Sequence, residues 1–304
     1  MNKLLTTSAS VLALSAFALF GASGASAADM QDPGCSVHGL VELGYMATTS
    51  SMDEDSLPES AQWSTPFGEG AGLLTCDAWN FQADMASYAH SADFISGKNL
   101  DDTRGHFGGA AFWRDSNVGS FGVSASLINT EVFGKENDYW RAGAFGEMFA
   151  SDQISLGGGA HYFVSQDDIV GKDHKGWELT ANAKFYATPN FSLMLQGDYM
   201  NSKISGEDFN GWAATGEARY LISDQGLSLF AGGRYAKRTL DGTDINDLQG
   251  YAGLTFAFNS SGMSLAQSDR SGRYDNTSTM LEKLPGPFGE FLAIAAKNNG
   301  MVGP

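Results

Sequence analysis

The chain has 304 residues, with 35 acidic residues against 18 Lys and Arg and a formal net charge of −17. Because phosphate backbones are bound by clustered Lys and Arg, this balance argues against a nucleic-acid partner. Glycine and aromatic residues are frequent (38 Gly, 20 Phe, 10 Tyr, 6 Trp), whereas proline is scarce (7). This composition favours a single domain built mostly of strands.

Residues 1–27 have the organisation of a secretory signal peptide. A positive start at Lys3 is followed by an apolar run from Leu4 to Phe20 and a small-residue cleavage site at 25–27. The apolar run is shorter than the roughly 20 residues that a membrane-spanning helix needs, and no later segment is apolar enough to span. We therefore expect the chain to be exported to the periplasm, the medium or the outer membrane.

The stretch 177–199 shows a pattern that recurs along the chain. Apolar and polar residues alternate in WELTANAKFYA, a turn follows at 188–190, and FSLMLQGDY alternates again. Successive side chains on a strand point to opposite faces, so each half of this hairpin has one apolar and one polar face. A single half-buried hairpin of a soluble protein would show the same pattern. Many repeats of the pattern with short turns at one end are typical of a transmembrane β-barrel.

The alternation predicts twelve strands. They are expected at 36–47, 66–76, 79–90, 104–115, 119–131, 138–150, 153–165, 177–188, 191–203, 211–222, 226–239 and 248–258. The segment 66–76 alternates least, and it is included because an even number of strands places both ends of the barrel on the periplasmic side. The predicted fold class is all-β, a twelve-stranded antiparallel up-and-down transmembrane β-barrel with a short C-terminal periplasmic tail.

The connections are predicted to differ between the two ends of the barrel. Short turns are expected at 150–153, 188–190 and 223–225, and long acidic loops at 48–65, 89–103, 132–137, 166–176, 203–210 and 239–247. Long outer loops and short periplasmic turns are the usual arrangement in such barrels.

Aromatic residues are predicted to form two girdles at the depth of the lipid head groups. The outer girdle would contain Tyr45, Trp140, Tyr162, Trp177, Tyr199, Trp212 and Tyr235, and the inner girdle Trp79, Trp113, Phe121, Phe185, Phe191, Tyr220 and Phe258.

The first strand SVHGLVELGYM, the repeated hairpins and the final YAGLTFAF resemble the short porin-like outer-membrane β-barrels of Gram-negative bacteria over residues 36–258. The resemblance implies contact with outer-membrane lipid and lipopolysaccharide, and insertion by the barrel assembly machinery, which reads an aromatic-ended last strand. The chain departs from many such barrels because residues 259–304 follow Phe258.

The chain is accordingly divided into the signal peptide 1–27, the barrel 28–258 and a periplasmic C-terminal tail 259–304. Within the tail, the spacing of Phe288, Phe291, Leu292 and Ala295 predicts a short helix. We expect this helix to be peripheral in preference to plugging the pore.

Strand parity places charged and polar side chains in the lumen. The predicted pore-lining set is Glu42, Asp84, Arg114, Arg141, Glu147, His161, Glu178, Lys184, Asp198, Glu217, Arg219 and Arg234, joined by Asn80, Gln82, Asn182, Gln196 and Tyr251. About eight strands leave an interior just filled by side chains and about sixteen leave a water channel, so twelve permit a polar path or a filled lumen.

The favoured function is a porin-like channel in the bacterial outer membrane for passive diffusion of small polar solutes. The alternatives are a structural or adhesive barrel with a filled lumen, and an outer-membrane lipid-modifying enzyme. His38, His90 and His106 have inward parity and His174 is expected in a loop beside Asp173, but no G-x-S-x-G motif or metal-ligand spacing accompanies them. We therefore predict no enzyme activity, no catalytic residue, no metal and no cofactor.

Cys35 and Cys76 are predicted to form a disulfide. Cys35 opens the first strand and Cys76 closes the second, so the two face each other at the periplasmic rim of neighbouring antiparallel strands, within bridging distance. Export brings this pair into an oxidising compartment.

Overall fold

The computed structural model describes residues 35–53, 60–93, 99–132, 135–166, 174–204, 207–240 and 242–285. The predicted signal peptide lies outside these residues.

Twelve antiparallel strands form one closed barrel. They are β1 (Cys35–Asp53), β2 (Ser60–Cys76), β3 (Trp79–Asp93), β4 (Asn99–Asp115), β5 (Gly119–Val132), β6 (Lys135–Ser151), β7 (Ile154–Ser165), β8 (His174–Thr188), β9 (Phe191–Ile204), β10 (Glu207–Ser223), β11 (Leu227–Leu240) and β12 (Thr243–Phe258). Each strand pairs with its neighbours in sequence, and β12 closes on β1 with Gly39 opposite Phe258. The predicted barrel is confirmed, including its least regular strand, β2.

The strands match their predicted bounds closely at one end of the barrel and run further at the other. We call these the turn end, with connections at 77–78, 116–118, 152–153, 189–190 and 224–226, and the loop end. At the loop end, β1 continues to Asp53 and β2 begins at Ser60, so most of the loop predicted at 48–65 is strand. This loop prediction was wrong over most of its length, because a strand with two polar faces, such as TTSSMD in β1, lacks the alternation that reveals it. The loop predicted at 166–176 falls largely between the end of β7 at Ser165 and the start of β8 at His174.

The outer surface of the barrel is apolar over its whole circumference. Large side chains project from it on every side, with Leu195 69% exposed and Phe107 61% exposed. A surface of this kind is what contact with lipid requires, because only every second residue of each strand faces outward.

The residues of both predicted girdles occupy outward-facing positions on this surface. Several contact each other across neighbouring strands, as ring pairs Tyr162–Trp177 (centroids 5.1 Å apart), Trp212–Tyr235 (5.4 Å) and Trp113–Phe121 (5.3 Å). The first two pairs lie towards the loop end and the third at the turn end, as the strand directions predict.

After β12 the chain turns into the barrel. Asn259 has a left-handed φ of 60°, a conformation that asparagine tolerates better than most residues, and its side-chain amide donates to the carbonyl of Val37 (2.5 Å). Residues 264–285, which we call the lumenal segment, then run from the turn end towards the loop end. They comprise α1 (Leu265–Ser271), an irregular stretch at 273–278 and a π-helical turn (Thr279–Lys283).

The prediction of a tail outside the barrel was therefore wrong for residues 264–285. In the lumen their polar groups hydrogen-bond to the wall, as described below, and Met280, Leu281 and Leu284 are buried, whereas a tail in water would leave these three side chains exposed. The helix predicted around Phe288, Phe291, Leu292 and Ala295 lies outside the described residues.

The helix α1 is fixed at the turn end of the lumen. It begins with a capping box, in which the Ser264 hydroxyl accepts from the N–H of Gln267 and the Gln267 side chain accepts from the N–H of Ser264. Leu265 is buried against Tyr186, and its N–H donates to the carbonyl of Pro189 in the β8–β9 turn (2.8 Å). Neither α1 nor another helix of the described residues is long and apolar enough to cross a membrane.

Cys35 and Cys76 form a disulfide at the turn end. The two residues face each other in the β1–β2 register, with Cα atoms 4.1 Å apart. The predicted bridge is confirmed.

A charge placed on the outer surface should destabilise the barrel. Leu195→Arg and Ala144→Arg should each lower the free energy of unfolding by about 2–4 kcal/mol, because the guanidinium must enter hydrocarbon near mid-depth. Unfolding in lipid vesicles measures this loss. Gln196→Arg is the matched control, because Gln196 faces the lumen and donates to Asp198 (3.0 Å), a carboxylate that can pair with the new guanidinium. Equal losses at positions 195 and 196 would contradict the assignment of faces.

Removing the disulfide should also lower stability. The bridge closes a loop with a sequence separation of 41, and Cys76→Ser should lower the free energy of unfolding by about 2–4 kcal/mol. Intact-mass analysis of the unreduced protein after alkylation should find no modified thiol. Two alkylated cysteines in the absence of reductant would show that the bridge does not form.

Candidate functional site

The twelve predicted pore-lining residues lie at inward-facing positions, and five of them pair with one another: Glu42, Arg141, Glu178, Glu217 and Arg219. The strongest wall contacts are those of Arg219 with Glu42 (3.1 Å) and Glu217 (3.0 Å), Arg141 with Glu178 (3.0 Å), Arg234 with Thr215 (3.0 Å) and Gln249 (2.6 Å), and Asp198 with Thr180 (2.9 Å) and Gln196 (3.0 Å). The lumen is thus lined by charges of both signs. That these residues conduct solutes stays a prediction.

In the half of the lumen nearer the turn end, wall arginines hold the main chain of the lumenal segment. Arg114 Nη2 donates to the carbonyl of Gly272 (2.7 Å), and Arg141 Nη1 donates to the carbonyl of Asn276 (2.8 Å). Arg114 lies next to the turn end of β4, whereas Arg141 lies deep in β6. Because the segment covers this depth within a few residues, it runs along the barrel.

Tyr274, midway between these two contacts, is held through both main chain and side chain. The Gln82 amide donates to its carbonyl through Nε2 (2.8 Å) and accepts from its N–H through Oε1 (2.8 Å). The tyrosine ring stacks on Phe145, with centroids 3.5 Å apart and planes 4° from parallel. The Tyr274 hydroxyl lies 3.3 Å from His161 Nε2.

Charged side chains of the segment pair with the wall. Arg273 Nη2 lies 2.5 Å from Glu69 Oε2, and Asp269 lies 3.5 Å from Lys184 Nζ. Lys283 Nζ lies 3.6 Å from Glu69 Oε1. These pairs connect the segment to β2 and β8, on different sides of the barrel.

In the half nearer the loop end, the wall satisfies the carbonyl groups of the π-helical turn and the residues that follow. Helical C-termini leave carbonyls without intrahelical partners. The donors are Arg104 to Leu281, His90 to Glu282 (2.9 Å), Gln249 to Lys283 (3.0 Å) and Arg238 to Pro285 (2.7 Å).

His106 lies between two carboxylates in this half of the lumen. Its Nε2 is 2.6 Å from Asp84 Oδ1, and its Nδ1 is 2.9 Å from Glu282 Oε1, a charge contact without hydrogen-bond geometry, with the side chains of His106 and Glu282 fully buried. The other Glu282 oxygen accepts from the N–H of Ser278 (2.7 Å). An imidazolium can face both carboxylates, whereas a neutral ring would turn a lone pair towards one of them. The cluster therefore ties the segment to β3 and β4 by charge.

An apolar cluster surrounds the same π-helical turn. Met280, Leu281 and Leu284 pack inside the barrel against Ile128, Tyr139, Phe163, Met200, Phe209, Ala213 and Ala236. These wall residues lie near the loop ends of β5 to β7 and β9 to β11, so the lumen is tightly filled there.

A cavity of about 220 Å³ remains beside the segment, with a lining that runs from Ser260 at the turn end past mid-barrel to Tyr88 and Lys283. Its wall includes Lys184, Gln196, Glu217, Arg219 and Arg234. A cavity of roughly 10–15 Å³ on this scale accommodates one water molecule, so this space has room for a group of waters.

Several inward-facing charged residues were not in the predicted set. Arg104 pairs with Asp102 (2.7 Å), Arg238 pairs with Asp247 (2.7 Å), and Glu69 pairs with the segment. Asp102 and Asp247 lie in strand extensions that the alternation did not reveal, and Glu69 lies in a glycine-rich strand. Arg104 and Arg238 lie within the predicted strands at inward-facing positions of the alternation, so the sequence could have identified both.

His174 was predicted in a loop, and this was wrong. It is the first residue of β8, it is buried, and its ring lies 3.0 Å from the Tyr139 hydroxyl and 3.1 Å from the Ser202 hydroxyl. β8 begins before the apolar alternation that starts at Trp177. It therefore adds inward-facing positions towards the loop end, and His174 occupies one of them.

The described residues contain no group of three or more His, Cys, Asp and Glu that could hold a metal ion. His106, the histidine with two carboxylate neighbours, has a fully buried side chain inside the lumen. Lipid outside the barrel cannot reach it, so this cluster does not have the rim position that lipid chemistry requires.

The sequence matches no protein-family profile and no curated protein. Among solved structures, an outer membrane channel from Pseudomonas putida F1 is 8% identical, covers 74% of this chain and 96% of its own length, and has a TM-score of 0.57. The translocator domain of the autotransporter NalP from Neisseria meningitidis is 11% identical, with coverages of 80% and 96% and a TM-score of 0.48. An anion-selective porin from Comamonas acidovorans is 10% identical, with coverages of 74% and 99% and a TM-score of 0.39. The first likeness shows the fold alone, a closed antiparallel β-barrel similar to that of this outer membrane channel.

Glu282→Gln should loosen the lumenal segment. The substitution keeps the shape of the side chain but removes the charge that faces His106, and breaking one partner of a buried ion pair costs about 3–5 kcal/mol. Amide hydrogen exchange across 272–285 should become faster, while exchange in β5 to β8 stays unchanged. Asp152→Asn, which removes a charge from the exposed β6–β7 turn, is the control and should leave exchange in the segment unaltered. The same slow exchange in both variants would show that the pair does not hold the segment.

Proposed function

We propose that the protein lies in the outer membrane and forms a porin-like channel for the passive diffusion of small polar solutes, closed in this structure by its own lumenal segment. The turn end faces the periplasm and the loop end faces the outside. The apolar outer surface contacts lipid and lipopolysaccharide, and the barrel assembly machinery inserts the chain.

The cavity beside the segment is the observation that carries this proposal. A lumen filled for structural reasons alone would pack like a protein core, with few voids larger than a water molecule. Here about 220 Å³ remains open between the segment and a wall that carries Lys184, Glu217, Arg219 and Arg234. Charged walls around a water-sized space suit hydrated solutes.

Closure in this proposal is located in the loop-end half. There Met280, Leu281 and Leu284 pack against the wall, and Glu282 lies 2.9 Å from His106. Movement of the segment would open the path, because the wall residues belong to strands that are fixed by the barrel.

A structural barrel with a permanently filled lumen is the second candidate. It is favoured by inward-facing apolar residues such as Ile128, Phe163 and Met200, which are fully buried against the segment and would face water in an empty pore. No observation favours the lipid-modifying enzyme.

Conductance of a variant with a weakened segment separates these candidates. The combination Arg273→Ala, Tyr274→Ala and Glu282→Ala, which we call the released variant, removes three anchors of the segment and leaves the wall intact. In planar bilayers its open probability should exceed that of the unmodified protein at least about tenfold, because the three anchors together exceed the roughly 1.4 kcal/mol that a tenfold shift requires. Tyr162→Ala, on the outer surface, is the control.

A silent released variant whose segment exchanges its amides freely would refute the channel and support the structural barrel. A conducting variant allows one further check. Arg219→Glu or Arg234→Glu, introduced into the released variant, should shift the reversal potential towards cations, and added salt should reduce the shift by screening.

A further inference from the structure

The wall of the lumen contacts the main chain of the segment more regularly than it contacts the side chains of the segment. Donors on β3, β4 and β6 reach the carbonyl groups of Gly272, Tyr274 and Asn276, which are alternate residues. The backbone is extended at Gly272 and again at Ser278. Carbonyls of alternate residues point to one side in an extended chain, so this row of donors matches an extended peptide.

Gln82 completes this match at Tyr274. One side-chain amide donates to the carbonyl and accepts from the N–H of the same residue, both at 2.8 Å. Every residue except proline presents this pair of groups. The contact therefore recognises a polypeptide backbone and is indifferent to the side chain that it carries.

Further donors lie towards the loop end, where they meet a different backbone. The carbonyls of residues 281, 282, 283 and 285, in the π-helical turn and just after it, accept from Arg104, His90, Gln249 and Arg238, so the match to an extended peptide rests on the three contacts at 272, 274 and 276. All seven donors belong to strands of the barrel and remain in place when the segment moves. The lumen thus keeps a series of main-chain donors along its length.

Side-chain contacts add a preference to this series. Glu69 faces the basic Arg273, and Phe145 stacks on the ring of Tyr274. Asp84 accepts from the Asn276 amide (3.3 Å). In extended-peptide recognition, main-chain hydrogen bonds supply affinity and side-chain pockets supply specificity.

We propose that the lumen is a binding site for extended peptides, recognised chiefly through their main-chain carbonyls, and that the lumenal segment is its internal occupant. The inference rests on the proposed channel and names a solute class for it. Peptides with a basic residue followed by an aromatic residue bind best, because Glu69 and Phe145 then find partners.

Binding of a synthetic peptide to the released variant tests the proposal. The probe is a dye-labelled peptide with the sequence of residues 272–285, GRYDNTSTMLEKLP, followed by fluorescence anisotropy with the purified full chain in detergent. It should bind the released variant at least about tenfold more tightly than the unmodified protein, whose own segment occupies the site at high effective concentration. If the triple variant does not fold, Tyr274→Ala alone replaces it.

Two control peptides separate backbone recognition from adsorption. The D-enantiomer has the same composition and charge but the wrong backbone geometry, and it should not bind. A scrambled L-peptide should still bind, within about tenfold of the probe, because the main-chain contacts persist. Equal binding of the L- and D-peptides, or binding of the native order alone, overturns the proposal.

A wall substitution in the released variant supplies the matched pair. Gln82→Ala should weaken peptide binding about tenfold, because it removes both contacts to one residue of the peptide. Asn182→Ala should leave peptide binding unchanged. Asn182 is an inward-facing amide of the cavity wall that makes no described hydrogen bond to the segment.

Conductance is recorded on the same preparations. A conducting variant that binds no L-peptide refutes the peptide site and leaves the channel standing. Peptide binding by a barrel that never conducts refutes the channel and leaves the site standing.

Discussion

Polar groups inside a closed barrel need partners, and this requirement governs the structure described above. A charge cannot face lipid without a large cost, so the charged residues in the middle of the strands face inward, whereas outward-facing charges such as Lys203 and Asp208 lie near the loop end. Some of the inward-facing residues satisfy one another, as Arg219 does with Glu42 and Glu217. Others, such as Arg141, reach the main chain of the lumenal segment, as does the uncharged Gln82. The segment is therefore part of the polar network of the barrel.

The two halves of the lumen satisfy this requirement in different ways. Near the loop end, apolar side chains of the segment cover inward-facing apolar residues of the wall, and the imidazole of His106 joins two carboxylates. Near the turn end, contacts are mostly polar and a cavity persists beside them. In the proposed channel, apolar packing closes the passage, and the polar contacts position the chain that carries the closing residues.

Alternation along the strands was sufficient to predict the barrel, the facing of residues such as Glu217 and Leu195, and the Cys35–Cys76 bridge. It failed where alternation has no reason to persist, in strand ends beyond the lipid, which is why His174 and Asp247 were misplaced or missed. It also could not place the lumenal segment. Residues 272–285 have no periodicity, and their partners are spread over strands that are distant in sequence and adjacent only in the closed barrel.

The covalent link to β12 determines how strong the hold on the segment has to be. A segment tethered by the few residues 259–263 meets its site at an effective concentration on the order of millimolar. An intrinsic dissociation constant of only about 10 μM would then keep the lumen occupied about 99% of the time. Hydrogen bonds that each contribute about 1 kcal/mol net suffice for this. Loss of a few of them changes occupancy strongly, because each 1.4 kcal/mol or so shifts the equilibrium about tenfold. Polar contacts in one half of the lumen and the apolar cluster in the other together hold this tethered occupant. In the proposed channel, the tether returns the segment to its site after each opening.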